Sequence, residues 1–149
     1  MKCRPKVEIG IYLLNSNCDK ILLGKNKFES FWRLINGKLS FGETFEDCAY
    51  KSLYEQVNIK GGKERLSCIC TLNVLDKTTK FHCLEIDYFI QITESEEVEL
   101  NNLRSIYKEW KLFSFGDILA SKEIFCGILV FLKKYNVTGF NQIKSLVSN

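Results

Sequence analysis

A single proline and nine glycines are all that 149 residues carry of the two chain-breaking types. That scarcity excludes a collagen-like repeat and a disordered, proline-rich chain. Nowhere do about 18 apolar residues follow one another, so no membrane-spanning helix is expected. Charge of one sign is missing too: 21 Lys and Arg stand against 18 Asp and Glu, a net of +3. So small a surplus argues against nucleic acid as the partner, because phosphate-backbone binders usually show a clustered basic face. The opening MKCRPKVEIG runs into an apolar strand and shows neither a signal peptide nor an arginine-rich transit sequence. With 46% hydrophobic and 26% charged residues the composition is that of a globular protein. The expectation is one domain over residues 1–149, intracellular, in the cytoplasm or an organelle.

Cysteine, by contrast, is plentiful, at Cys3, Cys18, Cys48, Cys68, Cys70, Cys83 and Cys126. The odd count and irregular spacing favour reduced thiols used as small apolar residues over a disulfide scaffold. A zinc site from Cys68, Cys70, His82 and Cys83 is the sharper alternative, with Cys68 and Cys70 on one face of a strand. Neither cysteine pair has the C-x-x-C spacing of a zinc knuckle.

Periodicity divides the chain. Val7–Leu14 is apolar and rich in β-branched residues, and an Asn-Ser-Asn turn leads to a second strand at Ile21–Gly24, a hairpin. Phe31–Leu39 reads as a strand with an Asn36-Gly37 turn signal. From Glu43 to Val57 the period changes: Phe45, Cys48, Ala49, Leu53 and Val57 fall on one helical face, with Thr44 and Asp47 suited to its start. Leu66–Leu75 and Phe81–Ile92 are strand-like, Glu94–Glu99 reads as a solvated acidic loop, and Trp110–Phe115 is a short aromatic strand. Glu123–Tyr135 has helical spacing and closes on Lys133-Lys134. Strands, a helix, more strands and a helix imply an α+β fold, an α/β/α sandwich with a mixed β-sheet between helices.

The densest signal is Gly37–Ile59, GKLSFGETFEDCAYKSLYEQVNI. It resembles the signature of the Nudix hydrolases: a Gly, five residues, a Glu, seven residues, then Arg-Glu-x-x-Glu-Glu-x-Gly and an apolar residue. Gly37 and Glu43 keep the spacing, and Lys51-Ser52-Leu53-Tyr54-Glu55-Gln56-Val57-Asn58-Ile59 follows seven residues on. The stretch Phe41 to Ala49 is similar to the nucleotide diphosphatase 15-like subgroup of that family. The resemblance is specific over these 23 residues and looser over most of the remaining chain.

The resemblance implies the α/β/α sandwich and a hydrolase in which water attacks a phosphorus of a nucleoside diphosphate linked to another group, with magnesium as cofactor. Magnesium takes about six oxygens, and three Glu at i, i+3 and i+4 of one helix bring their charges to it. In this chain those ligand positions read Ser52, Glu55 and Gln56. Glu55 is therefore the candidate catalytic and metal residue. Gly37, Glu43 and Lys51 are the structural positions of the box, with Lys51 able to pair with Glu43 as a point charge only. Asn58 stands at the Gly position and tolerates a positive φ. The family's Pro-Gly-Gly reads Ile35-Asn36-Gly37, the turn whose carbonyl a family member lends to the metal. Glu43, Glu46, Asp47, Asp76 and Glu109 are carboxylates that would rebuild a metal site.

Phe81 and Trp110, with His82 and Phe113, are candidates for a base-stacking pocket, against the plainer reading of sheet core. Lys25 and Lys27 stand where a family member presents cations to phosphates. The reading that follows is a Nudix fold without hydrolytic activity, a nucleotide-binding or protein-interaction module or an assembly subunit, compatible with a homodimer. The alternative is a weak magnesium-dependent hydrolase of nucleoside diphosphate-X compounds or nucleoside triphosphates.

Overall fold

The computed structural model describes residues 4–103, 105 and 108–147, so Cys3 lies outside the described residues. Strand β1 (Lys6–Leu14) is buried from Glu8 onward on both of its faces, as a central strand must be. One edge pairs in parallel with β5 (Phe81–Gln91), from Lys6 opposite Cys83 to Leu14 opposite Gln91. The other edge is shared. It pairs antiparallel with β3 (Ile35–Lys38) along Glu8–Ile11 and with β2 (Lys20–Asn26) at Leu14. The outer strands are β4 (Ser67–Asp76) on β5 and β6 (Lys108–Ser114) on β2. The sheet is mixed, in the order β4-β5-β1-β2-β6 with β3 on β1.

Side-chain alternation splits the core in two. Ile9, Ile11 and Leu13 of β1, with Ile86, Tyr88 and Ile90 of β5, pack under Cys48, Ala49, Leu53 and Val57 of α1 (Phe45–Val57). On the opposite face Tyr12, Leu14 and Phe89 meet Ile128, Phe131 and Leu132 of α4 (Cys126–Lys134). A terminal 3₁₀ segment, Phe140–Val147, adds Phe140 and Ile143 to that second core. Helices therefore cover both faces of a mixed sheet, the sandwich expected of the α+β pattern. None of the described helices is long and apolar enough to cross a membrane.

Four expectations change. Glu94–Glu99 is not a loop but most of helix α2 (Glu94–Asn101). Thr93 and Glu96 form a reciprocal cap there, and acidic side chains suit the positive end of the helix dipole. Strand structure in Phe31–Leu39 is confined to Ile35–Lys38, because Trp32 and Arg33 make isolated bridges to Ile124 and Gly24 instead. Phe115 leaves β6 to open the short helix α3 (Phe115–Ala120), capped by Ser114. Helix α4 starts at Cys126 rather than Glu123, since Ile124 is held beside Trp32 in an extended bridge.

Candidate functional site

The loop–helix–loop after β3 is built by local contacts. Thr44 caps α1 by accepting from the Asp47 N–H at 3.1 Å. Asn58 ends it in the left-handed conformation (φ 56°), the role glycine takes at such a terminus. Gly37 has no room for a side chain: a Cβ there would collide with Ser52 Oγ and lie 3.1 Å from Cys48 Sγ. Close approach of β3 and α1 is therefore what requires glycine at the start of the box. Glu43 accepts from the Ser40 N–H at 2.8 Å and so closes the loop on itself. The expected Glu43–Lys51 ion pair is not among those formed by the described residues, because the Glu43 carboxylate is committed to that turn and Lys51 is exposed.

The three ligand positions differ in environment. Ser52 is buried, and its hydroxyl donates to the Cys48 carbonyl at 2.8 Å. Glu55 is exposed. Gln56 is anchored at both ends: its Nε2 donates to the Asn36 carbonyl at 2.6 Å, and its Oε1 accepts from Lys108 Nζ at 3.3 Å. The Lys108 ammonium also lies 4.8 Å from the centroid of the Trp110 ring. Burial lowers its pKa from the usual lysine value.

Magnesium does not fit this set. It needs about six oxygens with carboxylate charge among them, and the three ligand positions supply one carboxylate, Glu55. The Ser52 oxygen sits behind Gly37, and the Asn36 carbonyl, in the turn where a metal ligand is expected, is taken by Gln56. The Gln56 oxygen is in contact with an ammonium, whose charge repels a dication. The carboxylates offered as replacements are mostly committed elsewhere. Glu46 accepts from the Tyr88 hydroxyl at 3.0 Å, Asp47 pairs with Lys63, and Asp76 caps its own turn through the Thr78 N–H. Glu109 alone of the proposed replacements borders the cavity next to Lys108.

That cavity, of about 460 Å³, is bordered by Asn26, Lys27, Lys108, Glu109 and Trp110. Lys25 borders it as well, but its ammonium is 3.2 Å from Glu123 and stacks over Trp32. Phe81 is not part of it. Trp110 packs on the α1 side of the sheet, whereas Phe81 packs on the α4 side, edge-on to Phe125 at 5.3 Å. Phe81 instead lines a separate cavity of about 400 Å³ with Arg33, Phe125 and Cys126. Phe113 is core against Trp32, and His82 bonds Asn73 at 2.7 Å. The four aromatic candidates thus do not form one base pocket, because neighbouring strand positions alternate between faces.

Two features escape motif reading. One is Lys108, whose contact with Gln56 spans 52 residues. The other is an acidic cluster under α4. The parallel register sets Glu8 opposite Glu85, and Gly10 opposite Asp87, and all three carboxylates are buried. Arg33 Nη2 donates to Glu8 at 3.2 Å, and the guanidinium lies 4.2 Å over Phe125. Burial raises the pKa of both Glu85 and Asp87, and Asp87 also feels the Glu85 charge. A Cβ on Gly10 would sit 2.6 Å from Asp87 Oδ1, so glycine makes the space for that carboxyl.

The zinc alternative fails on geometry. A register shift between Cys68 and Cys70 places them opposite the adjacent residues Tyr88 and Asp87, which face opposite sides of the sheet. Among the described residues, Cys83 clusters with Glu8 and Glu85 instead. The six described cysteines are free thiols, and burial pushes Cys48 to about 11 and Cys70 and Cys83 to about 12, as inert thiols require.

No protein-family profile matches the sequence. Solved structures do share the fold. A MutT NUDIX hydrolase from Burkholderia pseudomallei superposes with a TM-score of 0.68 at 19% identity, over 88% of this chain and 98% of that one. The NUDIX domain of Shewanella oneidensis NrtR, solved with ADP ribose, gives 0.64 at 13% identity, over 91% and 89%. A MutT/nudix family protein from Enterococcus faecalis gives 0.59 at 19% identity over 76% of this chain, which spans 45% of that protein. The chain has the Nudix fold.

Proposed function

We propose that residues 1–149 form a single Nudix-like domain of the nucleotide diphosphatase 15-like subgroup, with a degenerate box, that binds a nucleotide without hydrolysing it. One observation carries this reading: two of the three box carboxylates are replaced, by Ser52 and Gln56, and both replacements are hydrogen-bonded within the protein. Attack of water on a diphosphate needs charge that offsets the phosphates and activates the nucleophile. Glu55 alone does not supply it. Gly37, Glu43 and Lys51 keep the shape of the loop–helix–loop, and the cavity at Lys108 and Trp110 has the size of a small-molecule site. Nucleotide binding is supported by analogy with the NrtR domain solved with ADP ribose.

The test is a nucleotide-release assay on a panel of nucleoside di- and triphosphates, with and without magnesium. The native chain runs beside Gln56→Glu and the double variant Ser52→Glu/Gln56→Glu, with folding checked by circular dichroism. No turnover by the native chain, and magnesium-dependent turnover by a repaired one, is the expected result. Comparable turnover by the native chain, lost in Glu55→Gln, would replace this reading with that of a weak hydrolase.

A further inference from the structure

Where the resemblance to the hydrolases implies a metal cation, this chain brings a side-chain cation. Lys108 Nζ contacts the residue at a ligand position of the box, and that residue is an amide rather than a carboxylate. The exchange has an electrostatic consequence. A glutamate at position 56 would pair with the ammonium and neutralise it, whereas the neutral Gln56 orients it and leaves its charge unspent. Gln56 is held from behind by the Asn36 carbonyl, and the Trp110 ring flanks the ammonium. The cation is therefore positioned by groups that do not cancel it, at the wall of a cavity that also borders Lys27.

Resting on the non-hydrolytic reading above, we propose that this cavity binds a diphosphate anion without metal, with the Lys108 ammonium in place of the divalent cation. Lysine binds phosphate oxygens as a point charge through up to three N–H donors, and one of the Lys108 donors is used on Gln56. The ammonium is half-buried, so its charge is less screened than that of a surface lysine. Lys27 adds a second cation at the rim, and Glu109, which also borders the cavity, offsets part of the positive charge. Lys25, paired with Glu123, is not required.

The experiment is isothermal titration of the full chain with inorganic pyrophosphate, first in EDTA and then in magnesium. Pyrophosphate should bind in EDTA, and added magnesium should not tighten it. Lys108→Met should weaken binding about tenfold or more, the loss of one charge-assisted contact, and Lys108→Arg should retain most of it. Gln56→Glu, which changes one atom of the side chain, should weaken binding in EDTA by pairing with Lys108. It decides the matter if Lys108→Met does not fold. Absence of binding in EDTA, or native-like binding by folded Lys108→Met or by Gln56→Glu, overturns the proposal. If pyrophosphate is not bound in EDTA and the nucleotide assay shows no turnover, only the metal-free site falls. If pyrophosphate needs magnesium and the native chain also hydrolyses nucleotides, the non-hydrolytic reading falls with it.

Discussion

The two faces of the sheet treat charge in opposite ways. Under α1, two of the three ligand positions of the box carry no carboxylate and the polar groups there satisfy one another: Ser52 bonds Cys48, Gln56 bonds Asn36, and Lys108 bonds Gln56. Under α4, where no such motif lies, Glu8, Glu85 and Asp87 are packed into the core with Arg33 as the cation that pairs with Glu8. Among the described residues, no donor reaches Glu85 Oε1 or Asp87 Oδ1. The box face keeps the shape of a metal site without its charge. The other face carries the buried charge but rests it on one ion pair and on protonation. Buried carboxylates unmatched by cations are costly unless neutralised, so the α4 face should govern stability and its pH dependence, and the α1 face ligand binding.

The largest break in that contrast comes from Arg33→Met. It strands Glu8 as an unpaired buried charge and should cost about 3 kcal/mol, read as a drop in the chemical-denaturation midpoint. Lys108→Met on the box face, removing a half-buried contact to a neutral amide, should cost no more than about 1 kcal/mol. Equal losses would abolish the distinction between the faces. A smaller effect separates protonation from pairing. Because burial raises the Glu85 and Asp87 pKa values, the folded chain keeps protons that the unfolded chain has released above about pH 4. Stability contributed by these groups therefore falls as pH rises from there through their folded values. Asp87→Asn, neutral at every pH, should flatten that fall and raise the melting temperature more at about pH 8 than at about pH 5. A uniform change across pH would mean that Asp87 is not held protonated.

What was legible in the sequence is what is local. The helix of the box, its Thr44 cap and its Asn58 terminus follow from residues within a few turns of one another, whereas the sequence marked Gly37 only as a motif position and the packing of α1 on β3 supplies the reason for it. The acidic run after Ile92 misled because charge density suggests solvent, whereas Thr93 and Glu96 convert it into a capped helix. The bulge that separates Cys68 from Cys70 left no periodic trace, so two thiols that alternation places together face apart. Lys108 beside Gln56 arises from how α1 packs against the edge of the sheet at β6, and Glu8 beside Glu85 from strand order. Parallel pairing of β1 with β5 joins residues 77 positions apart in the chain, and no spacing rule reaches that far.

Titrating magnesium into the full chain asks whether the box, with Ser52 and Gln56 at two ligand positions, takes up the ion. The native protein and Ser52→Glu/Gln56→Glu are followed side by side by calorimetry. The native chain should show no saturable uptake, and the folded double variant saturable one-site uptake. Saturable uptake by the native chain that disappears in Glu55→Gln would contradict that expectation.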